Sequence, residues 1–179
     1  MIIPTVRNSE ELGITLDGLA NQTYDDMEVV VVGPRDDKGK MEADNRGFRY
    51  IDDKGASNRA DACNVAIEET ESDLVFFTDD DVFVPEDWVE RLERWFDRPD
   101  VAGVGGPNFA PVEESTFWQR VIDVAFCNRI LTAGTNYGKR AIGELEEVEQ
   151  LPGVNSAYRR EVLVDVGSFD PGAIGAEDV

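Results

Sequence analysis

The sequence predicts an α/β fold, in which helices flank a mostly parallel central sheet. Residues 28–32, 74–77 and 101–106 are short apolar runs with the hydrophobic character of strands that are buried on both faces. Segments with helical spacing of apolar residues lie between these runs. Strands that alternate with helices are typical of parallel sheets, because each parallel pair needs a crossover connection.

The individual elements follow from spacing and from helix-boundary signals. The predicted strands are residues 1–4, 28–32, 48–51, 74–77 and 101–106. The predicted helices are residues 10–20, 57–69, 85–96, 115–131 and 161–166. Ser57 is the expected cap of the second helix, and Pro85 suits the first position of the third. The charged residues 35–45 predict a loop.

The segment 115–131 is strongly apolar but interrupted by polar and charged residues, so it predicts an amphipathic helix rather than a membrane span. We favour packing against the sheet and keep open a membrane-surface or acceptor-side helix. With 179 residues the chain fits one domain. We divide this domain into an α/β half (1–107) and a second part (108–179).

Composition excludes several classes of function. The chain has 38 acidic against 17 basic residues and a net charge of -21, which opposes binding to nucleic acid. Charge spread in this way resembles that of proteins from salt-loving organisms. There is no histidine, so a histidine base or a Ser-His-Asp triad is excluded. Any metal should be a hard cation with oxygen ligands, such as Mg²⁺ or Mn²⁺.

Neither the two cysteines nor the N-terminus suggests secretion. Cys63 and Cys127 lack metal-ligand spacing, and Cys63 falls within a helical pattern. No signal peptide is evident at the start of the sequence. The default expectation is a cytoplasmic protein, with contact at the inner face of the membrane if residues 115–131 lie on a lipid surface.

Three aspartates follow the apolar run 74–77. Asp79 and Asp81 lie two residues apart and would project to the same side of an extended chain, with Asp80 between them. Carboxylates at the end of a buried strand are costly unless a cation or a solvated cleft receives them. Ligands of open α/β sheets bind at this end of the strands. We therefore predict a divalent-metal site, against the alternative of a solvated acidic surface.

Seven segments in order along the chain are together similar to one family. They are residues 2–5 with Asn8, 19–24, 55–64, 77–81, 153–160, 167–170 and 177–178. In these segments the chain resembles family-2 glycosyltransferases with the A-type nucleotide-sugar fold. That fold has a Rossmann-like nucleotide-binding half and a smaller acceptor-side part.

The resemblance implies a nucleotide-sugar site. Pro4, Thr5 and Arg7 would line the pocket for the base and ribose. Asp79 and Asp81 stand at the family's Asp-x-Asp positions. There Asp81 would ligate Mg²⁺ or Mn²⁺, and Asp79 would hold the ribose or a metal-bound water.

The same resemblance supplies the remaining roles. Arg59 and Asp80 lie within matching segments and are assigned to the nucleotide-sugar site. Asp178 would be the catalytic base. The reaction implied is inverting, metal-dependent transfer of a sugar from a nucleoside-diphosphate sugar to an acceptor hydroxyl. The acceptor would be a glycan or a lipid-linked molecule in cell-surface glycan or glycolipid assembly.

The sequence departs from the family after the second strand. Residues 33–35 intervene before Asp36 and Asp37, where the family usually has an acidic pair that reads the base. The base of the donor is therefore left open. The chain begins midway in the first strand and ends one residue after Asp178, so we expect a domain that is clipped at its N-terminus and incomplete at its C-terminus.

Two other functions remain open from the sequence. An aspartate-dependent phosphotransferase or phosphatase also has aspartates after a hydrophobic strand, and Asp79 would then be a nucleophile. Phe83 occupies the position where that pattern expects a small residue. The other alternative is a non-catalytic acidic module that binds Ca²⁺, although no EF-hand loop is present.

Overall fold

The computed structural model describes residues 1–5, 11–35, 38–109, 115–127, 145–148 and 150–172. In this part of the chain the strands are β1 (Ile2–Pro4), β2 (Val30–Gly33), β3 (Arg49–Asp52), β4 (Leu74–Phe77), β5 (Gly103–Gly105) and β6 (Ser156–Arg159). The helices are α1 (Leu12–Ala20), α2 (Lys38–Asn45), α3 (Arg59–Glu68), α4 (Trp88–Glu93), α5 (Phe117–Phe126) and α6 (Arg160–Asp165). A 3₁₀ helix, Arg94–Asp97, extends α4.

The six described strands form one sheet in the order β3-β2-β1-β4-β6-β5. The first four in that order are parallel, with Ile2 beside Val30 on one side and Phe77 on the other. The strand β6 is antiparallel to β4, with Ser156 beside Phe77, and β5 is antiparallel to β6. The predicted mostly parallel α/β sheet is confirmed.

Because β1 and β4 are parallel neighbours, the residues that follow them meet at one edge of the sheet. Thr5 follows β1, and the three aspartates follow β4 soon after Phe77. The strand β6 lies beyond residue 107 in sequence and belongs to the same sheet. The functional division of the chain at residue 107 stays a prediction.

The core lies on both faces of the sheet, because successive residues of a strand point to opposite sides. One apolar cluster includes Ile3, Val31, Phe76, Leu12, Leu16, Trp88 and Leu92. The other includes Ile2, Val30, Val32, Phe77, Ala66, Ile67 and Phe169. Helices α1 and α4 thus cover one face, and α3 covers the other.

The prediction of a loop at residues 35–45 was wrong, since residues 38–45 form α2. Gly39 and Ala43, one helical turn apart, are the buried residues of this helix. Two small residues allow the helix backbone to approach the sheet closely. The other positions of this helix are mostly polar, so the sequence shows no apolar face there. The stability of such a helix comes mainly from tertiary packing.

Two helix boundaries also differ from the prediction. Asn58, rather than Ser57, is the N-cap of α3, and its side chain accepts a hydrogen bond from the backbone N–H of Asp61. The hydroxyl and backbone N–H of Ser57 instead donate to the Asp61 carboxylate. Helix α4 begins at Trp88, because Pro85 lies in the preceding turn.

The expectation that residues 115–131 pack on the sheet was wrong for the part that the structure describes. Helix α5 begins with a capping box formed by Thr116 and Gln119, and none of its residues is buried. Its large apolar side chains are all exposed: Phe117, Trp118, Val121, Ile122, Val124 and Phe126. Among the described helices, none is long and apolar enough to cross a bilayer.

Candidate functional site

The three aspartates differ in their exposure to solvent. Thr78, which precedes them, is buried. Asp79 and Asp80 are partly buried, and Asp81 is exposed. The chain therefore leaves the core within four residues, and the last carboxylate of the three is the most accessible.

Asp80 is fixed by the end of β1. The hydroxyl of Thr5 donates a hydrogen bond of 2.6 Å to Asp80 Oδ2. Burial raises the pKa of the Asp80 carboxyl above its ordinary value, while the Thr5 hydroxyl acts in the opposite direction. Repulsion by Asp81 and Asp79 also raises it. The middle carboxylate is thus held towards β1 rather than left free in solvent.

Asp79 pairs with a cation at the start of α3. Arg59 Nε lies 3.2 Å from Asp79 Oδ1, and the side chains are 21% and 40% exposed, respectively. The other end of the guanidinium, Nη2, donates to the carbonyl of Gly153 at 2.9 Å. Arg59 therefore connects α3, the aspartates and the segment that leads into β6.

The backbone after Asp81 is held by α1. The hydroxyl of Thr15 donates to the carbonyl of Val82 at 2.9 Å and accepts from the Val82 N–H at 3.0 Å. Thr15 is fully buried. Thr15 was not predicted as a site residue, because a threonine in a helix can equally bond within its own helix and gives no signal of a distant partner.

The aspartates form an incomplete set of protein ligands for a divalent cation. Within the described ranges, no group of three or more acidic or sulfur-bearing side chains is arranged to enclose a metal. Mg²⁺ is commonly bound by one or two carboxylates together with substrate phosphates and water, rather than by a complete protein cage. An exposed Asp81 beside a partly exposed Asp79 fits that second type of site.

Asn155, which lies within the matching segment 153–160, connects the strands next to the site. Its Oδ1 accepts from the indole N–H of Trp88 at 2.8 Å, and its Nδ2 donates to the carbonyl of Pro107 at 3.2 Å. Its backbone carbonyl accepts from Gly106. Asn155 thereby fixes the exit from β5 against β6 and α4.

The guanidinium of Arg159 is bound by backbone carbonyls of the protein. Its guanidinium donates to the carbonyls of Phe96, Arg98 and Val101 and lies over the Phe96 ring. These contacts satisfy the carbonyls at the end of the 3₁₀ helix. The next residue, Arg160, begins α6, one residue before the predicted start of this helix.

Two asparagines of the α3 region bind the turn after α6. Asn64 donates to the carbonyl of Phe169 and accepts from its N–H, at 2.8 and 3.1 Å. Asn58 Nδ2 donates to the carbonyl of Pro171 at 2.8 Å. The chain that leads towards the predicted base is thus anchored to the helix that carries Arg59. Arg7 and Asp178 lie outside the described residues.

Pro4 and Thr5 are buried at the end of β1. The structure brings Thr5 to Asp80 and Arg59 to Asp79 by two separate contacts at the carboxyl edge of the sheet. The fold and the position of the aspartates are those of an α/β protein that binds its ligand at the carboxyl ends of the strands. Residues 1–167 match the Glycosyl transferase family 2 profile, so the chain belongs to this family.

A curated relative and solved structures support the same family. The chain is 27% identical over 182 residues to a glucosyl-dolichyl phosphate glucuronosyltransferase from Haloferax volcanii. The alignment covers 90% of this chain and 51% of the relative. A Pyrobaculum calidifontis mannosyltransferase in complex with GDP-Man and Mn²⁺ has a TM-score of 0.68 and 22% identity, over 99% of this chain and 48% of that one.

A third protein similar in fold is a glucosyl-3-phosphoglycerate synthase from Mycobacterium tuberculosis, in complex with Mn²⁺, UDP-glucose and glycerol 3-phosphate. Its TM-score is 0.57 at 16% identity, covering 90% of this chain and 56% of that one. The chain therefore spans about half the length of these relatives. The A-type glycosyltransferase fold is confirmed, which argues against the phosphotransferase and acidic-module alternatives.

Proposed function

We propose that the chain forms the donor-binding part of an inverting, metal-dependent glycosyltransferase that uses a nucleoside-diphosphate sugar. The observation that carries the proposal is the arrangement of the aspartates at the carboxyl edge of the sheet. Asp81 is exposed there, Asp79 pairs with Arg59, and Asp80 is tied to Thr5. Two proteins similar in fold were solved with Mn²⁺ and a nucleotide sugar.

Asp81 and Asp79 would hold Mg²⁺ or Mn²⁺ together with the donor diphosphate. When bound, the cation would stabilise negative charge on the departing diphosphate as a Lewis acid. Arg59 places a positive charge beside Asp79 and so limits the repulsion among the carboxylates. Pro4, Thr5 and Arg7 would line the base and ribose pocket, with the base itself unassigned.

Asp178 would accept the proton of the acceptor hydroxyl as it attacks the anomeric carbon. The hydrogen bonds from Asn58 and Asn64 to Pro171 and Phe169 support this role. They hold the chain a few residues before the acidic pair at 177–178. A single displacement from the face opposite the leaving group inverts the anomeric centre, through a transition state with oxocarbenium character.

The acceptor is proposed to be lipid-linked, in cell-surface glycan or glycolipid assembly. The Haloferax volcanii relative is by name a transferase acting on glucosyl-dolichyl phosphate. Helix α5 exposes Phe117 and Trp118 at 72% and 71% on an amphipathic helix, which suits the boundary between lipid headgroups and acyl chains. The protein would then act at the inner face of the membrane and contact it through residues 115–131.

Calorimetric titration of UDP and GDP, with and without Mn²⁺, tests the donor site. The titration belongs in concentrated salt, because a chain with a net charge of -21 is destabilised by self-repulsion when screening is weak. We expect metal-dependent binding of one nucleotide by the wild type and loss of binding in Asp81→Ala. Asp165→Ala, on the exposed end of α6, removes the same charge and should bind normally. Absence of nucleotide binding in folded wild-type protein would contradict the proposal.

A further inference from the structure

Two buried threonines contact the segment that carries the aspartates. Thr15 of α1 contacts both backbone groups of Val82, directly after Asp81. Thr5, at the end of β1, contacts the carboxylate of Asp80. Both threonines are at most 1% exposed, so water does not compete for either hydroxyl. The two threonines thus contact residues 79–82, which we name the aspartate turn, at one side chain and at two backbone groups.

The neighbouring packing keeps both threonines in place. The backbone N–H of Thr5 donates to the carbonyl of Val32 in β2 at 2.8 Å. Helix α1 approaches the chain after the aspartate turn closely at Gly18, where an added Cβ would lie 3.1 Å from the carbonyl oxygen of Val84. These contacts hold the backbones that carry the two hydroxyls against neighbouring elements.

Three adjacent carboxylates repel one another, and this repulsion favours an open turn in the absence of a cation. Mg²⁺ demands near-ideal octahedral geometry, so its ligands bind best when they are held in place beforehand. We propose that Thr15 and Thr5 are positioning residues that preset the aspartate turn, so that Asp79 and Asp81 receive the cation and diphosphate without rearrangement. This inference rests on the proposed function.

A purely structural role makes a different prediction. Buried hydroxyls are normally hydrogen-bonded, and losing such a bond destabilises a protein wherever it lies. Thr70 offers a matched control: it is buried, its hydroxyl donates to the carbonyl of Ala66 at 2.9 Å, and it precedes β4 at the opposite edge of the sheet. A positioning role must affect Mn²⁺-dependent nucleotide binding beyond the effect of Thr70→Val.

The experiment compares Thr15→Val, Thr15→Ser and Thr70→Val in the full chain. Valine keeps the shape of threonine without the hydroxyl, whereas serine keeps the hydroxyl. The readouts are the Kd of UDP or GDP in the presence of Mn²⁺ and hydrogen–deuterium exchange at the Val82 amide without metal. Thr5→Val and Thr5→Ser form a second pair, used if Thr15→Val does not fold. Because Thr5 is also proposed to line the base and ribose pocket, this pair is compared by Mn²⁺ affinity without nucleotide, which loss of a nucleotide contact would not change.

We expect the valine variants to weaken Mn²⁺-dependent nucleotide binding by about tenfold or more. About tenfold is the lower end of the loss in metal affinity seen when a group that orients a metal ligand is removed. The serine variants should recover most of this loss, Thr70→Val should bind as wild type, and the Val82 amide should lose protection only in Thr15→Val. Unchanged affinity in both valine variants, beside a wild type that binds, would overturn the positioning role and leave the donor site intact. A wild type with a protected Val82 amide but no metal-dependent binding would overturn the proposed function, and the positioning role with it.

Discussion

The hydroxyl of Thr5 donates a 2.6 Å hydrogen bond to the carboxylate of Asp80, a residue 75 positions away in sequence. This contact joins the ends of β1 and β4 at the edge of the sheet where the three aspartates leave the core. The middle aspartate is therefore tied to the end of β1. The proposed nucleotide-sugar site accordingly lies at the ends of two neighbouring parallel strands.

Gly33 allows Thr5 to reach this position. A Cβ on Gly33 would lie 2.8 Å from the backbone oxygen of Thr5 and 2.9 Å from its Cγ2. We expect Gly33→Ala to reduce the free energy of unfolding by about 1–3 kcal/mol, as for other overpacked sites, and to weaken Mn²⁺-dependent nucleotide binding. Chemical denaturation and calorimetry measure the two effects.

Gly13→Ala is the control for Gly33→Ala. It adds the same methyl group in α1, where the nearest contact is the flexible end of Arg46 at 3.3 Å. It should be neutral or stabilising by up to about 1 kcal/mol, because alanine favours a helix over glycine. Equal effects of the two substitutions would contradict the packing argument.

Ser156 presents the opposite case of a buried hydroxyl. Its Oγ has no hydrogen-bond partner among the described residues, although the side chain is 1% exposed. We expect Ser156→Ala to leave the free energy of unfolding unchanged or to raise it by about 1 kcal/mol, because an unsatisfied buried hydroxyl is destabilising. A loss of more than about 1 kcal/mol in chemical denaturation would indicate that the hydroxyl binds an internal water.

Asn64 should couple the turn after α6 to the fold. Asn64→Ala leaves the N–H and carbonyl of Phe169 without their side-chain partner, which we expect to cost about 1–3 kcal/mol. In a longer form of the protein that transfers sugar, the rate of sugar transfer should fall as well, because the same turn leads to Asp178. Asn21→Ala, which removes an exposed bond to the Asp17 carbonyl, should change stability by less than about 0.5 kcal/mol. Similar losses in both variants would argue against a specific anchor.

Asp80 should give the metal-free protein a distinct pH dependence. Burial raises its pKa above the ordinary value of 3.8, so the native state holds the proton to higher pH than the unfolded chain does. The free energy of unfolding therefore falls as pH rises from about 3.8 through the raised pKa. Asp80→Asn removes this loss and retains an oxygen that can accept from Thr5.

We thus expect Asp80→Asn to be more stable than wild type near neutral pH, with the difference shrinking as the pH falls towards 4. Denaturation at a series of pH values with a chelator present measures this difference. Asp165→Asn controls for the change in net charge, since Asp165 is exposed at the end of α6. A constant difference between Asp80→Asn and wild type across the range would contradict the assignment.

The sequence predicted the elements that depend on local apolar pattern. The strand at 74–77 was predicted to the residue, and its placement ahead of three carboxylates identified the candidate site. Helix α2 was missed because only Gly39 and Ala43 face the core, too few for a visible apolar face. The packing of the described part of this segment, residues 115–127, was wrongly predicted, because an amphipathic pattern shows that a helix has an apolar face but not what covers it.

The contacts that organise the site depend on tertiary structure. Thr15 and Val82 are 67 positions apart, as are Trp88 and Asn155. A hydroxyl or an amide in a sequence does not disclose a partner at such a distance. Arg59 was assigned to the site only because it lies in the matching segment 55–64. Its contacts with both Asp79 and Gly153 could not be predicted without the folded structure.

The central claim is that the aspartate turn binds a divalent cation together with a nucleotide. Its most direct test is anomalous diffraction at the manganese edge, from crystals grown with Mn²⁺ and whichever of UDP or GDP binds. We predict an anomalous peak within bonding distance of the Asp81 carboxylate and in contact with the diphosphate. A nucleotide bound at the carboxyl edge of the sheet with no Mn²⁺ at Asp81, or Mn²⁺ bound only elsewhere on the protein, would contradict the claim.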